Sequence, residues 1–307
     1  MDFLYLLEKL RVPGLNELML TVTRLGEETA FLVAALVVFW CVDKYWGYFV
    51  LGVGLMGTVL SQFMKLLFRI PRPWVLDENF TILEAAREGA GGYSFPSGHT
   101  QSAVGTFGSL AAATKNRPVR IICVVLAVLV GFSRMYVGVH TPADVLVGAL
   151  ISVALIFAIY PFMLGKRRGA APAVLGIMLL VSVGFLLYVE LIPNPEALDP
   201  HNYGSALKNA YTLLGSCAGV LAVYYADEKK LNFDTKAVWW AQILKVILGL
   251  VAVLAVKEGL RAPLDALFGG HLAARAVRYF LIVIMAGIVW PLSFRWFGKL
   301  GRKEEKK

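Results

Sequence analysis

Long apolar segments separated by short polar ones dominate the chain. About nine of these segments are long enough, or nearly so, for helices that cross a bilayer, which requires about 20 residues. They cover approximately residues 28–42, 45–68, 97–114, 120–132, 142–164, 171–192, 205–226, 239–256 and 277–296. Residues 1–26 mix apolar and charged positions at helical spacing, which is typical of amphipathic helices in a membrane interface. The pattern predicts an all-α, polytopic membrane protein.

The polar connections suggest a chain of three parts. Residues 1–27 are predicted to form interfacial amphipathic helices. Residues 28–168 hold five predicted spans and the polar motifs described below. Residues 169–307 form a C-terminal membrane extension of four predicted spans.

Composition supports a membrane protein and argues against a nucleic-acid partner. Of the 307 residues, 58% are hydrophobic and 17% are charged, whereas soluble domains have about a quarter charged. The net charge is +9, but its cations gather between spans, as the positive-inside bias predicts. By alternation, the basic connections share one face, which we expect to be cytoplasmic together with the C-terminus: 115–120, 166–168, 229–236 and 299–307. The polar motifs then face the extracytoplasmic side.

The connection between the fourth and fifth spans carries the strongest chemical signal. Thr141 before Pro142 predicts a helix start, with Thr141 as the N-cap. Asp144 then lies in the first helical turn, where its carboxylate can accept a proton from the His140 imidazole. That pairing leaves the other ring nitrogen free to act as a nucleophile.

Two further polar clusters are predicted on the same side. Lys65 and Arg72 flank the end of the second span and offer a point charge and a planar guanidinium for an oxyanion. Ser97, Gly98 and His99 open the third span, where free backbone N–H groups favour phosphate. His99 can donate a proton to a leaving oxygen.

Together the clusters predict an anion cage formed by cations, small residues and two imidazoles: Lys65, Arg72, Ser97, Gly98, His99, Arg134 and His140. Ser97 is an alternative nucleophile, but no carboxylate is placed by sequence to orient His99. No carboxylate cluster with metal-ligand spacing accompanies them, so we expect neither a metal nor another cofactor. The predicted chemistry is phosphoryl transfer supported by fixed cations.

These clusters resemble the tripartite signature of the type 2 phosphatidic-acid phosphatase superfamily, which also includes vanadium haloperoxidases. The matching segments are Lys65-x6-Arg72-Pro73, Pro96-Ser97-Gly98-His99 and Ser133-Arg134-x5-His140-x3-Asp144. The resemblance implies a metal-independent phosphatase with a phosphohistidine intermediate. It implies His140 as nucleophile, Asp144 as its partner and His99 as general acid and base. It also implies phosphate binding by Lys65, Arg72, Ser97, Gly98 and Arg134.

The substrate is predicted less sharply. Membrane members of the superfamily act mostly on lipid phosphates, so polyprenyl pyrophosphate, phosphatidylglycerol phosphate or phosphatidate is the first expectation. The nine-span plan and the segments 72–77 and 205–209 are also similar to the glucose-6-phosphatase branch, which makes a sugar phosphate the alternative. However, that branch lacks an aspartate at the position of Asp144.

A transporter or scaffold with a relic site is a third reading, in which Glu190 and Lys208 could be functional. In an enzyme, the same two residues are possible substrate contacts. The C-terminal Lys306-Lys307 lacks the spacing of a dilysine retrieval signal, so a bacterial plasma membrane is the expected location. The sequence does not predict an oligomeric state.

Overall fold

The structure is a computed structural model that describes residues 1–193 and 198–300, apart from the side chain of Arg168. Within these residues the chain forms helices and loops and no strand. The α-helices are α1 (Asp2–Lys9), α2 (Pro13–Arg24), α3 (Glu28–Val37), α4 (Lys44–Phe68), α5 (Pro73–Leu76), α6 (Gly98–Ala103), α7 (Ser109–Ala113), α8 (Arg117–Tyr136), α9 (Pro142–Met163), α10 (Ala171–Glu190), α11 (Pro200–Ala226), α12 (Trp239–Gly259), α13 (Arg261–Leu267), α14 (Ala273–Ile284) and α15 (Phe294–Phe297). The all-α prediction is confirmed.

Short π-helical and 3-10 segments extend or join several of these helices. The π turns are Val38–Val42 after α3, Val104–Gly108 between α6 and α7, Asp227–Leu231 after α11 and Met285–Val289 after α14. The 3-10 segments are Glu84–Ala86, Arg168–Ala170 and Trp290–Ser293. Residues 194–197 and 301–307, which include part of the predicted basic tail, lie outside the described residues.

The described chain has seven helices that are long and apolar enough to cross a membrane, or eight if a bent pair counts as one span. The pair is α2 with the helix Glu28–Val42, which meet at 55°. This number is close to the predicted nine. The count of eight differs from the prediction at residues 97–114, where the helical stretch from Gly98 to Ala113 is shorter than the roughly 20 residues that a bilayer requires. The protein is an integral membrane protein.

The described chain divides into two compact units, each formed by segments that are distant in sequence. The first unit contains Met1–Leu32, Val53–Tyr160 and Tyr188–Ala206. The second contains Val33–Gly52, Pro161–Leu187 and the chain from Leu207 onward. The three-part division of the sequence stays a prediction, since its boundaries rest on polarity alone.

In the first unit, α1 and α2 pack against α8. Arg11 donates from Nε to the carbonyl oxygen of Tyr136 at 3.0 Å, and the Tyr136 hydroxyl donates to Asn16 Oδ1 at 2.8 Å. Leu4 and Met19 are buried, whereas Leu6, Leu10 and Leu18 are exposed apolar residues. The two short helices therefore have one face in the protein core and one face suited to lipid.

The second unit has a buried ion pair and an aromatic core. Lys44 Nζ lies 3.0 Å from Asp227 Oδ2, and the Asp227 side chain is completely buried. Lys44 also donates to Asn232 Oδ1 at 3.0 Å. The Phe233 ring packs edge-on against Phe294, with 5.3 Å between centroids. These contacts fix the segment between α11 and α12, which has no regular helix beyond Leu231.

Candidate active site

Three segments far apart in the chain meet in the first unit. The first contributes Arg72 from the start of α5, and the third contributes His140 from the connection between α8 and α9. Arg72 Nη1 lies 2.8 Å from His140 Nε2. The second segment joins them because the backbone N–H of Ser97 donates to the carbonyl oxygen of Asp144 at 3.0 Å.

The chain turns sharply between α8 and α9, and this turn positions His140. Gly138 has a φ of +88°, a conformation that glycine adopts without the steric penalty of a side chain. Thr141 then caps α9, since its Oγ1 accepts from the Asp144 N–H at 3.3 Å. The Asp144 carboxylate in turn accepts from the Thr141 N–H at 2.8 Å. The predicted helix start at Thr141–Pro142 is confirmed.

The two ring nitrogens of His140 face different partners. Nδ1 lies 3.4 Å from Asp144 Oδ2, and Nε2 faces the Arg72 guanidinium, which can only donate. A neutral imidazole that accepts from Arg72 at Nε2 must carry its proton on Nδ1, toward the carboxylate. This tautomer leaves the Nε2 lone pair as the candidate nucleophile.

Ser94 is a site residue that sequence reasoning missed. Its hydroxyl donates to Asp144 Oδ2 at 2.6 Å and lies 3.4 Å from His140 Nδ1, and the side chain is completely buried. Asp144 Oδ2 thus accepts from both Ser94 and Thr141, which fixes the carboxylate beside the imidazole. The only sequence signal is the position of Ser94 three residues before the Ser97 motif.

Arg72 is held by backbone carbonyls as well as by His140. Its Nε donates to Gly92 O at 3.0 Å, Nη2 to Gly91 O at 2.8 Å, and Nη1 to Val139 O at 3.0 Å. The glycine-rich loop before α6, which contains Gly89, Gly91 and Gly92, therefore has a structural role, because it supplies two acceptors to a buried cation. Arg72 is 6% exposed.

Residues from the start of α11 adjoin this glycine-rich loop. A Cβ added at Gly91 would lie 3.9 Å from His201 Nε2, and one added at Gly92 would lie 3.8 Å from Asn202 Oδ1. The sequence pattern does not place His201 or Asn202 near the motifs. Their positions bring a part of the predicted C-terminal extension next to the carbonyls that hold Arg72.

Ser97 and Gly98 open α6 as predicted. Ser97 is the N-cap, and its Oγ accepts from the Thr100 hydroxyl at 2.9 Å, which leaves its own O–H free to donate. A Cβ at Gly98 would meet nothing within 4 Å, so the helix mouth there is open. His99 is half-buried and faces the same loop as Arg72, since a Cβ at Gly89 would lie 4.0 Å from its Nε2.

Arg134 and Lys65 complete the group of cations. Arg134 is 1% exposed and donates from Nη1 to Thr23 Oγ1 at 2.7 Å. Its Nε and Nη2 are buried with no hydrogen-bond partner among the described residues. Buried guanidinium donors of this kind require acceptors, and a tetrahedral oxyanion supplies them. Lys65 Nζ donates to Tyr93 O at 2.5 Å.

The surroundings keep His140 neutral at ordinary pH. Burial, followed by the charges of Arg72, Arg134 and Lys65, holds the pKa of His140 well below its usual 6.5, and the His99 ring adds a smaller effect. The same charges form a positive site for an anion. All three cations therefore act on the candidate nucleophile.

Glu190 and Lys208 are the two remaining predicted site residues. Glu190 ends α10 and is exposed, and Lys208 is exposed on α11 in the second compact unit. Their contact with substrate stays a prediction. In the described part of the chain, no group of three or more His, Cys, Asp or Glu residues could hold a metal ion.

A buried histidine–aspartate pair among three cations, in a polytopic helical membrane protein, suits the chain to the class of membrane proteins that transfer phosphoryl groups. Comparison with known families assigns the chain more narrowly. Residues 45–168 match the PAP2 superfamily, and residues 211–303 match a family described as PAP2 superfamily phosphatase, transmembrane extension. The chain belongs to the PAP2 superfamily, which confirms the resemblance predicted from the three motifs.

Three curated relatives have similar sequences. A phosphatidylglycerophosphatase B of Bacillus subtilis is 30% identical over 50% of this chain and 77% of its own length. An undecaprenyl-diphosphatase of Bacillus subtilis is 33% identical over 36% of this chain and 53% of its own, so the match spans about half of that relative. An undecaprenyl-diphosphatase of Sulfolobus acidocaldarius is 30% identical over 46% of this chain and 67% of its own length. No solved structure matches the chain significantly.

Proposed function

We propose that the chain hydrolyses a phosphomonoester or pyrophosphate carried by a lipid, with His140 as nucleophile. The observation that carries the proposal is the environment of His140 Nε2. It belongs to a neutral, buried ring whose other nitrogen faces Asp144. Arg72 contacts Nε2, and the charges of Lys65 and Arg134 also act on the ring. The names of the relatives, phosphatidylglycerophosphatase and undecaprenyl-diphosphatase, support a lipid substrate.

The reaction has two steps. His140 Nε2 attacks phosphorus as the bond from phosphorus to the leaving oxygen breaks, and His99 donates a proton to that oxygen. A water molecule then attacks the phosphohistidine, His99 takes its proton, and inorganic phosphate leaves with His140 restored. Burial, followed by the charges of Arg134, Arg72 and Lys65, lowers the pKa of His99 to about 2. A bound phosphate dianion offsets these charges and raises this pKa, which favours the protonated ring that the first step requires.

The phosphoryl oxygens bind to Arg134, Lys65, Ser97, the open Gly98 backbone and Arg72. Arg134 offers two buried donors that have no other partner in the described residues. The incoming phosphoryl group takes the place of the contact between Arg72 Nη1 and His140 Nε2, so that Arg72 binds an oxyanion instead of the ring. Fixed cations of this kind stabilise the transition state without a metal ion.

Exposed apolar residues beside Arg72 favour a lipid over a sugar. Leu67 and Phe68 at the end of α4 are 52% and 51% exposed, and Val75 and Leu76 on α5 are 62% and 55% exposed. These side chains offer a surface for an acyl or prenyl chain whose phosphate reaches Arg72. A water-soluble sugar phosphate gains nothing from them.

A substrate panel tests the proposal. Detergent-purified protein should release phosphate from undecaprenyl pyrophosphate or phosphatidylglycerol phosphate at least tenfold faster, in kcat/KM, than from glucose 6-phosphate. EDTA should leave the rate unchanged, vanadate should inhibit, and His140→Ala should abolish release. Faster hydrolysis of glucose 6-phosphate would favour the sugar-phosphate alternative. Unchanged release by His140→Ala would contradict the assigned nucleophile.

We also propose that the site faces away from the cytoplasm of a bacterial cell and that the C-terminus is cytoplasmic. The basic connections Lys115–Arg120 and Lys166–Arg168 lie on the side opposite to the motifs along the chain, which supports this orientation. A reporter that is active only in the cytoplasm should be active when it is fused after Lys307. Activity at the same position of a reporter that works only outside the cytoplasm would reverse the proposed orientation.

A further inference from the structure

The second compact unit contains a cavity that has no part in the proposed reaction. It has a volume of about 470 Å³ and is lined by the segment 230–236 after α11 and the segment 291–299 around α15. The two segments touch, since a Cβ added at Gly298 would lie 3.4 Å from Lys236 O. The contacts of Asp227 with Lys44, and of Phe233 with Phe294, hold the first segment in place.

The lining of the cavity is strongly basic. Four cations and a single carboxylate line it among the described residues: Lys230, Lys236, Arg295, Lys299 and Asp234. The carboxylate is partly used by its own turn, because Asp234 Oδ1 accepts from the Lys236 N–H at 3.0 Å. The remaining excess of positive charge favours an anionic ligand.

Two observations place the cavity at the depth of lipid headgroups. It lies where three candidate spans end or begin, at Leu231, Trp239 and Phe297. Trp239 is 76% exposed and Trp296 is 57% exposed at this level, as in the aromatic belts of membrane interfaces. An exposed apolar residue, Leu292, also lines the cavity and is 62% exposed. A basic site with an apolar side at this depth suits a lipid better than a free ion.

We propose that this cavity binds a phosphate-bearing anion, the headgroup of an anionic phospholipid, independently of the catalytic cluster. The cations pair with the headgroup phosphate, and Leu292 contacts the start of the acyl chains. All residues that line the cavity belong to the second compact unit, whereas the catalytic cluster belongs to the first. The lipid bound there is therefore a structural or regulatory ligand and not the substrate.

Native mass spectrometry of the purified full chain tests this assignment with phosphatidylglycerol and phosphatidylcholine of equal chain length. Phosphatidylglycerol should bind more tightly, and saturating vanadate should not displace it. Lys236→Gln with Arg295→Gln should weaken phosphatidylglycerol binding about 25-fold, since each cation near an anionic lipid contributes roughly a fivefold factor. Lys230→Gln with Lys299→Gln should do the same as an independent pair.

The matched control is Lys257→Gln with Arg261→Gln, which removes two exposed cations from the other end of α12 and its continuation. It should change phosphatidylglycerol binding less than about threefold, and phosphate release in neutral detergent should be unchanged in all three double variants. The proposal is overturned if both cavity pairs bind like wild type, if the control loses binding equally, or if vanadate removes the lipid. If inorganic phosphate at about 1 mM displaces phosphatidylglycerol, the cavity is a site for the free ion and the lipid proposal is overturned. If inorganic phosphate does not displace it, the lipid proposal is supported.

Discussion

Asp144 is held in place by two donors, the Ser94 hydroxyl at 2.6 Å and the Thr141 N–H at 2.8 Å. Neither bond touches a phosphate, yet both determine where the carboxylate meets His140. A buried carboxylate that loses a donor can rotate or attract a proton, and the imidazole then loses its orientation. At the residue scale, the proposed nucleophile therefore depends on side chains that lie behind it.

Replacing Ser94 with alanine should lower kcat by about 10- to 100-fold, because a hydrogen bond to a charged group contributes roughly 1.5–3 kcal/mol. KM should change little, since Ser94 does not contact the proposed phosphate position. Steady-state kinetics on the preferred lipid substrate measures both values. The matched control is Ser152→Ala, which removes a buried hydroxyl that donates to Gln101 O instead. Equal losses in the two variants would remove Ser94 from the site.

The pKa of His140 predicts the acidic limb of the pH profile. Burial and the charges of Arg72, Arg134 and Lys65 lower this pKa below 6.5, so the neutral ring persists as the pH falls through 6.5. The limb of kcat/KM that reports protonation of the free enzyme should therefore lie below pH 6.5. Lys65→Met removes one repulsive charge, which raises the pKa of His140 and should move the limb to higher pH.

The exposed Lys115 provides the control for this pH experiment, because Lys115→Met should leave the limb where it is in wild type. The second ionisation of the substrate phosphate, near pH 6, is the same for every variant and cancels in the comparison. A limb that moves to lower pH in Lys65→Met would contradict the electrostatic account.

At the scale of elements, the bend between α2 and α3 brings the N-terminal helices to the site. Thr23 lies one residue before the end of α2 and binds Arg134 at 2.7 Å. A Cβ added at Gly26 would lie 2.8 Å from His99 O and from a Val130 side-chain atom, so the bend packs closely against α6 and α8. The amphipathic start of the chain therefore supports the phosphate-binding cations.

Thr23→Val should weaken the proposed phosphate site without removing a proposed catalytic residue. The Arg134 guanidinium loses its one described partner, so its position for an oxyanion becomes less defined. The inhibition constant for vanadate should rise about 5- to 30-fold, while Thr21→Val should leave it unchanged. Thr21 is on the same helix, but its hydroxyl donates to the backbone carbonyl of Glu17 one turn earlier. An unchanged constant in Thr23→Val would show that α2 does not support the site.

The sequence was sufficient for the motifs and most helices, because both depend on local pattern. Thr141 and Pro142 mark a helix start, and apolar runs mark spans. Ser94, Thr23 and His201 could not be predicted, since each reaches the site through a contact between distant segments. A buried serine hydroxyl on a carboxylate has no sequence pattern that separates it from a serine on a loop.

At the scale of the whole molecule, the second compact unit depends on the buried pair of Lys44 and Asp227. Nothing in the sequence predicted this pair, because 183 residues separate its members. Asp227→Asn should lower the free energy of unfolding by roughly 3–5 kcal/mol, since it leaves a buried ammonium without its counterion. Thermal unfolding in detergent should show a melting temperature lower by several degrees.

Glu258→Gln is the control for the stability experiment, because Glu258 and Lys257 form an exposed pair with a 3.8 Å separation. Exposed pairs contribute about 0–1 kcal/mol, so the melting temperature should stay near the wild-type value. If the Asp227→Asn variant melts at the same temperature as the wild type, the buried pair does not stabilise the unit.

The convergence of three chain segments on His140 has its most direct test in the covalent intermediate. The measurement is a rapid base quench of wild-type protein turning over a lipid substrate with a 32P-labelled phosphoryl group, followed by mapping of the labelled peptide. The account predicts base-stable, acid-labile label on His140 and none in His140→Ala. Label on Ser97, or steady turnover by the His140 variant, would contradict it.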